Sequence, residues 1–332
     1  MSKIFWGDGT TSALLTDGMI VNNFKLDTVA NAPAKLPIIT PPEGKNSPIH
    51  PKVLFLPNKF GGHFFWMAYT PWPGADNNVE NPCIACSDDM VNWDTPEGCT
   101  NPLDTGTSAK DYMSDTHLVY REDTGLLEVW YRECNETEHI ETIWRRTSAD
   151  GVNWNERESM FVSANGTSHA NFLSPTLIYE DGKYKIWVSH INQTNYLYES
   201  SDGTDWELVS KTNLKAWHLD VIRTDKGYEA FCHNQTTGTI THSVSEDGIT
   251  FSDAVDVLSP SGDGWDKSLY RSSAVKDNGI YYLYYTSGTN GIGLSVTRKK
   301  NDVSSFGGCI SGSGFGVTML DIEERLHNLD NA

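Results

Sequence analysis

Ser148-Ala-Asp-Gly-Val-Asn-Trp154 decides the fold, because versions of this stretch recur along the chain. Ser87 to Trp93 reads SDDMVNW, Ser200 to Trp206 reads SSDGTDW, Ser245 to Phe251 reads SEDGITF, and a worn copy runs from Ser295 to Phe306. The closing aromatics stand roughly 50 residues apart, a period that belongs to propeller blades. Asp-Gly supplies the positive φ angles of a tight turn, and Ser and Asp side chains bond nearby backbone. The aromatic is expected to pack between blades. The motif therefore reads as hairpin chemistry on the outer part of a repeated unit.

Working outward from each copy, short apolar runs alternate with Gly or Asp turns. His50-Pro-Lys-Val, Asp115-Thr-His-Leu, Ser174-Pro-Thr-Leu, His218-Leu-Asp-Val and Arg271-Ser-Ser-Ala each open such a series. Five sets of four short antiparallel strands predict an all-β chain, a five-bladed β-propeller spanning residues 48–312. Residues 1–47 stand apart as an N-terminal arm, with Ile4-Phe-Trp and Met19-Ile-Val as short strands and a proline-rich approach to the first blade. Residues 313–332 form a tail in which Met319, Ile322, Leu326 and Leu329 carry the spacing of a short amphipathic C-terminal helix.

A net charge of −19 argues against nucleic acid or an anionic membrane as partner. No run of apolar residues is long enough for membrane insertion. Met1 to Asp8 lacks the basic start and apolar core of a signal peptide, so synthesis in a cytoplasm is expected, with release in a phage virion as one route outside. Cys83 and Cys86 lie in one strand-like run where both cannot face the same side, which argues against zinc there.

In a propeller the first strand of each blade lines the axis, so the residues opening those strands converge at one channel mouth. That set is His50, Asp115, Ser174, His218 with Asp220, and Arg271. Trp217 and Tyr270 flank it. The loop between the second and third strands of the first blade brings Trp72 and Glu80 to the same rim. Carboxylates, an arginine and aromatic faces around a concave site suit sugar recognition.

The runs His50-Pro-Lys-Val, Trp66-Met-Ala-Tyr-Thr, Ser174-Pro-Thr-Leu, Trp217-His-Leu-Asp-Val and Leu269-Tyr-Arg-Ser-Ser resemble the propellers of glycoside hydrolase family 43 and its relatives. More narrowly, they are similar to members found in Gram-positive bacteria and their phages. The resemblance implies an inverting hydrolase with an Asp base on the first blade, an Asp that tunes pKa on the second and a Glu acid on the third. Asp115 matches the second-blade Asp. His50 holds the first position and Ser174 the third, so the usual acid and base are both missing.

Two functions follow as expectations. In one, the propeller binds and hydrolyses a cell-surface or cell-wall polysaccharide, with Asp115, Asp220 and Glu80 as a non-standard catalytic set. His50, Trp72, Ser174, Trp217, His218, Tyr270 and Arg271 would then hold the glycan. In the other, it is a non-catalytic virion or receptor-binding module joined to its assembly through the arm or the C-terminal helix. Neither requires a cofactor; a central divalent cation such as calcium, held by His and carboxylate, is a further reading. For Asp220, the competing structural expectation is an ion pair with Arg271.

Overall fold

The computed structural model describes residues 5–7, 10–14, 20–21, 36, 47–106, 111–164, 172–260, 265–288, 291–297 and 299–306, the first three stretches and 163–164 as backbone alone. The expected C-terminal helix lies outside these residues.

In the arm, β1 (Phe5–Gly7), β2 (Thr10–Leu14) and β3 (Ile20–Val21) form a small antiparallel sheet. Blade one contains β4 (Pro48–Phe60), β5 (His63–Pro71) and β6 (Cys83–Ser87). Blade two contains β7 (Asp111–Arg121), β8 (Leu126–Asn135), β9 (Ile140–Ser148) and β10 (Glu158–Ala164). Blade three contains β11 (Leu173–Glu180), β12 (Lys183–Ser189), β13 (Thr194–Ser200) and β14 (Glu207–Lys215). Blade four contains β15 (Leu219–Thr224), β16 (Gly227–Asn234), β17 (Thr239–Ser245) and β18 (Val255–Leu258). Blade five contains β19 (Ser272–Asp277), β20 (Ile280–Thr286) and β21 (Ile292–Val296).

Every blade is an antiparallel meander, and β4, β7, β11, β15 and β19 touch in that order around the axis, with β19 closing on β4. The chain is thus a five-bladed β-propeller. Blades one and five differ from the expected four strands. Among the described residues, their outer edges carry single bridges, Cys86 to Asp94 and Thr297 to Phe306. Leu36 lies beside blade five, where its N–H donates to Ile292 O at 2.8 Å and its side chain joins the core between blades five and one.

The core is a set of clusters, one between each pair of neighbouring blades. Alternation along a strand explains this, since successive side chains face opposite blades. Cys83 faces the blade five side and Cys86 the blade two side.

The repeated motif builds one turn four times. Ser148 Oγ accepts from the Asp150 and Gly151 amides, while Asp150 Oδ1 accepts from those of Val152 and Asn153. Ser87 with Asp89, Ser200 with Asp202 and Ser245 with Asp247 repeat the Ser bond to the third residue and the Asp bonds to the next two amides. The glycine has a second reason to be there. A Cβ on Gly151 would lie 2.0 Å from Trp66 Cη2, and one on Gly248 would lie 2.9 Å from Trp187 Cζ2. The second-strand tryptophan of one blade thus packs on the turn of the next.

Candidate functional site

One residue per blade converges at the upper channel mouth, and the backbone is bent to achieve it. His50, Asp115 and Ser174 have φ of 52°, 55° and 48°. Each sits where the inner strand loses register with its neighbour, between Ile49 and Lys52, Ser114 and His117, and Leu173 and Thr176. A β-bulge re-aims a side chain that regular pleating would direct elsewhere. Left-handed backbone at a non-glycine residue costs about 1–3 kcal/mol, so three such positions are held by their surroundings. On blades four and five, His218 and Arg271 directly precede β15 and β19 and need no bulge.

Asp115 is the hub. Its Oδ1 accepts from Arg271 Nη1 at 2.8 Å and Ser174 Oγ at 3.3 Å, and lies 3.6 Å from His50 Nε2 and 3.9 Å from His218 Nδ1. Arg132 Nη1 stands 3.6 Å from Oδ2. Burial alone would raise the Asp115 pKa, but the surrounding His50 and His218 rings and the Arg271 and Arg132 guanidiniums outweigh it and keep the carboxylate ionised. For His218, burial first and then the His50 and Arg271 charges push the pKa well below its ordinary value, against the pull of Asp115. Its imidazole is therefore neutral near pH 7.

The two histidines share a pattern. His50 Nδ1 contacts Thr70 Oγ1 at 3.1 Å and Glu80 Oε1 at 3.3 Å, with the Asp115 amide at 3.4 Å. His218 Nδ1 is 2.5 Å from Ser174 Oγ. Both Nε2 atoms are buried without a hydrogen-bond partner. His50, Asp115 and His218 each present a donor atom within 4.8 Å of the others.

Above this cluster lies a cavity of about 270 Å³ lined by His50, Glu80, Asp115, Trp72, Trp217, His218 and Tyr270, among others. The Trp72 and Tyr270 rings stack at 12° with centroids 6.5 Å apart, and Tyr270 meets the His218 ring edge at 4.0 Å. Trp72 is fixed by its indole N–H donating to Asn77 Oδ1 at 2.9 Å.

The structure brings together His50, Trp72, Glu80, Asp115, Trp217, His218 and Tyr270 at one cavity, with Ser174 and Arg271 bonded to Asp115 beneath it. Asp220 is elsewhere. It is buried deeper on the axis, where Oδ1 accepts from Lys52 Nζ at 2.6 Å and Thr176 Oγ1 at 3.2 Å, and Oδ2 from the Ala274 amide at 2.8 Å. Its ion-pair partner is Lys52 rather than Arg271, because Asp115 occupies that guanidinium. Asn77, Tyr112, Ser114 and Arg132 also line the cavity and were not legible in the sequence. Arg132 comes from a second strand, and its Nη2 bonds Glu141 Oε1 at 2.9 Å.

No family model matches the chain. Over 285 residues it is 26% identical to the A type blood N-acetyl-alpha-D-galactosamine deacetylase of Flavonifractor plautii, a match covering 68% of this chain and 37% of that protein. The chain thus spans little more than a third of that relative. An N-acetylgalactosamine deacetylase from F. plautii, crystallised with blood group B trisaccharide, superposes with a TM-score of 0.70 at 20% identity, covering 80% of this chain and 94% of that one. A glycosyl hydrolase from Bacteroides ovatus gives 0.51 at 14% identity over 80% of this chain and 91% of its own. The shared architecture is the five-bladed propeller of glycoside hydrolase-like proteins, and these relatives are carbohydrate-active.

Proposed function

We propose that the cavity binds an acetamido sugar of a cell-surface glycan and hydrolyses its N-acetyl group, using a divalent cation held by His50, Asp115 and His218. The observation that carries this reading is the convergence of those three donors, with both Nε2 atoms buried and unpartnered. Donors about 2.1 Å from one tetrahedral ion stand roughly 3.4 Å apart, close to the 3.6 Å between Asp115 Oδ1 and His50 Nε2. Oxygen contacts at each Nδ1 orient the rings in the manner of outer-shell partners in metal sites. Two imidazoles and one carboxylate suit a zinc-like ion better than calcium, which prefers six to eight oxygens. The N-acetylgalactosamine deacetylase named above supports the same class of reaction.

Glycosidic cleavage fits the site less well. It needs a protonated acid facing a base or nucleophile. Here Asp115 is held ionised, and the third-blade position is Ser174, which has no carboxyl proton.

Bound at the donors, the cation would polarise the acetyl carbonyl and acidify water, as such ions do in hydrolases. Glu80 lines the cavity beside His50 and in this reading would take the proton of the attacking water. Water oxygen bonds to the carbonyl carbon, the C–N bond breaks, and the same proton passes to the leaving nitrogen, giving acetic acid and the free amine, which become acetate and ammonium when the acid's proton moves to the amine. Burial pushes the Tyr270 pKa up, with Asp115 and Glu80 adding to it, so its phenol stays a hydrogen-bond donor at the cavity wall. Trp72 and Tyr270 offer flat faces to the sugar ring.

Acetate release from oligosaccharides ending in N-acetylgalactosamine or N-acetylglucosamine tests the proposal. Chelation should abolish release and zinc should restore it. Asp115→Asn and His218→Ala should each lower it at least about 100-fold. Reducing sugar without acetate would return the glycosidase reading. Glycan binding with neither product would leave an adhesion module. Attachment to a larger assembly through the arm is a separate proposal, tested by deleting residues 1–30.

A further inference from the structure

The channel has a second mouth. Lys52 and Asp220 close the axis beneath the upper site, and on the far side lies a cavity of about 320 Å³ to which all five inner strands contribute. Leu54, Phe55, Tyr120, Ile178 and Ile222 line this cup and are only half-buried, so apolar surface from four blades faces solvent at one place. Covering such surface is worth about 25 cal/mol per Å², and contiguous exposed patches mark docking sites.

We propose that the cup is the docking site for the chain's own C-terminal segment, residues 319–331, whose apolar stripe would fill it. Met319, Ile322, Leu326 and Leu329 repeat at the spacing that places them on one face of a helix. A helix this short does not hold together in water without a surface to pack on. The tether has the right start and length. Phe306 packs on Tyr281 with ring centroids 6.3 Å apart, and Tyr281 pairs in register with Lys276, which lines the cup. Residues 307–318, GGCISGSGFGVT, are rich in Gly and Ser, and twelve residues of such composition reach about 20 Å.

Charge points the same way. Asp321, Glu323, Glu324 and Asp330 face a single cation in this segment, Arg325. Lys276 and Arg223 both line the cup; Lys276 bonds Glu229 at 2.8 Å, and Arg223 bonds Glu180 yet remains 48% exposed.

The test compares the full chain with its Ile322→Asp/Leu326→Asp variant, which leaves the propeller sequence intact. Hydrogen exchange around Leu54, Ile178 and Ile222 should become at least about tenfold faster in the variant, and trypsin should cut at Arg325 sooner. A synthetic peptide of residues 315–332 should restore protection in the variant. The cup variant Ile178→Asp should expose Arg325 to trypsin in the same way. Identical exchange at the cup in both chains would overturn the proposal. So would protection that depends on protein concentration and disappears as an oligomer becomes a monomer, since the tail would then be joining copies.

Discussion

Arg271 Nη1 donates to Asp115 Oδ1 at 2.8 Å across the channel, tying the fifth blade to the second. Its Nη2 reaches the carbonyls of Thr116 and Pro175, at 3.4 and 3.3 Å, so one guanidinium spans three blades. Removing one partner of a buried pair leaves the other charged and unpaired, at a cost of about 3–5 kcal/mol. Arg271→Met should lower unfolding stability by that much in denaturant titrations. Arg271→Lys should recover little, because an ammonium cannot match the fork.

Asp220 and Asp115 should respond differently to the same change. Asp220→Asn strips Lys52 of its counter-charge in the middle of the axis, so its main effect should be a stability loss of about 3–5 kcal/mol. Asp115→Asn should abolish zinc binding, read by calorimetry on the metal alone. Equal metal affinity in wild type and Asp115→Asn would contradict the site.

Acid should weaken the fold through its buried histidines. Burial lowers the His233 pKa to about 4, and burial likewise holds His117 and His218 well below their ordinary values. The unfolded chain protonates them near pH 6.5 while the folded chain does not, so it binds more protons below that pH. Their contribution is intact above pH 6.5 and declines as pH falls, for His233 until about pH 4. Urea midpoints at pH 8, 6 and 5 should fall in that order, and His233→Leu should flatten the slope.

Two glycines of similar φ separate turn strain from packing. Gly125 has φ of 70° and open space around a Cβ; Gly151 has φ of 78° and Trp66 in the way. Gly125→Ala should cost about 1 kcal/mol. Gly151→Ala adds overpacking and should cost about 2–5 kcal/mol by thermal or chemical unfolding.

The upper mouth was readable because blade position and strand start are linked. A repeat marks each hairpin, and counting back from it reaches His50, Asp115, Ser174, His218 and Arg271, all five of which the fold gathers at or beneath one cavity. Asp220 shows the limit of that counting. It lies two residues beyond His218, and one pleat further along a strand moves a side chain from the mouth to the middle of the axis. Arg132 and Tyr112 reach the cavity from positions the repeat does not mark.

The sequence by itself determined the propeller and its turn chemistry, and it put His50 and Ser174 at the strand starts of the first and third blades, because those depend on local turns, strand periodicity and residue type. Only the tertiary structure decided that Asp115 belongs with two histidines and Asp220 with Lys52. Those partners come from different blades, up to 168 residues apart, and their pairing depends on three bulged strands and on how closing the ring brings distant strand starts face to face. The Ser-Ala-Asp-Gly turn has the same double origin. Its hydrogen bonds are local, and its glycine also answers to a tryptophan on the preceding blade.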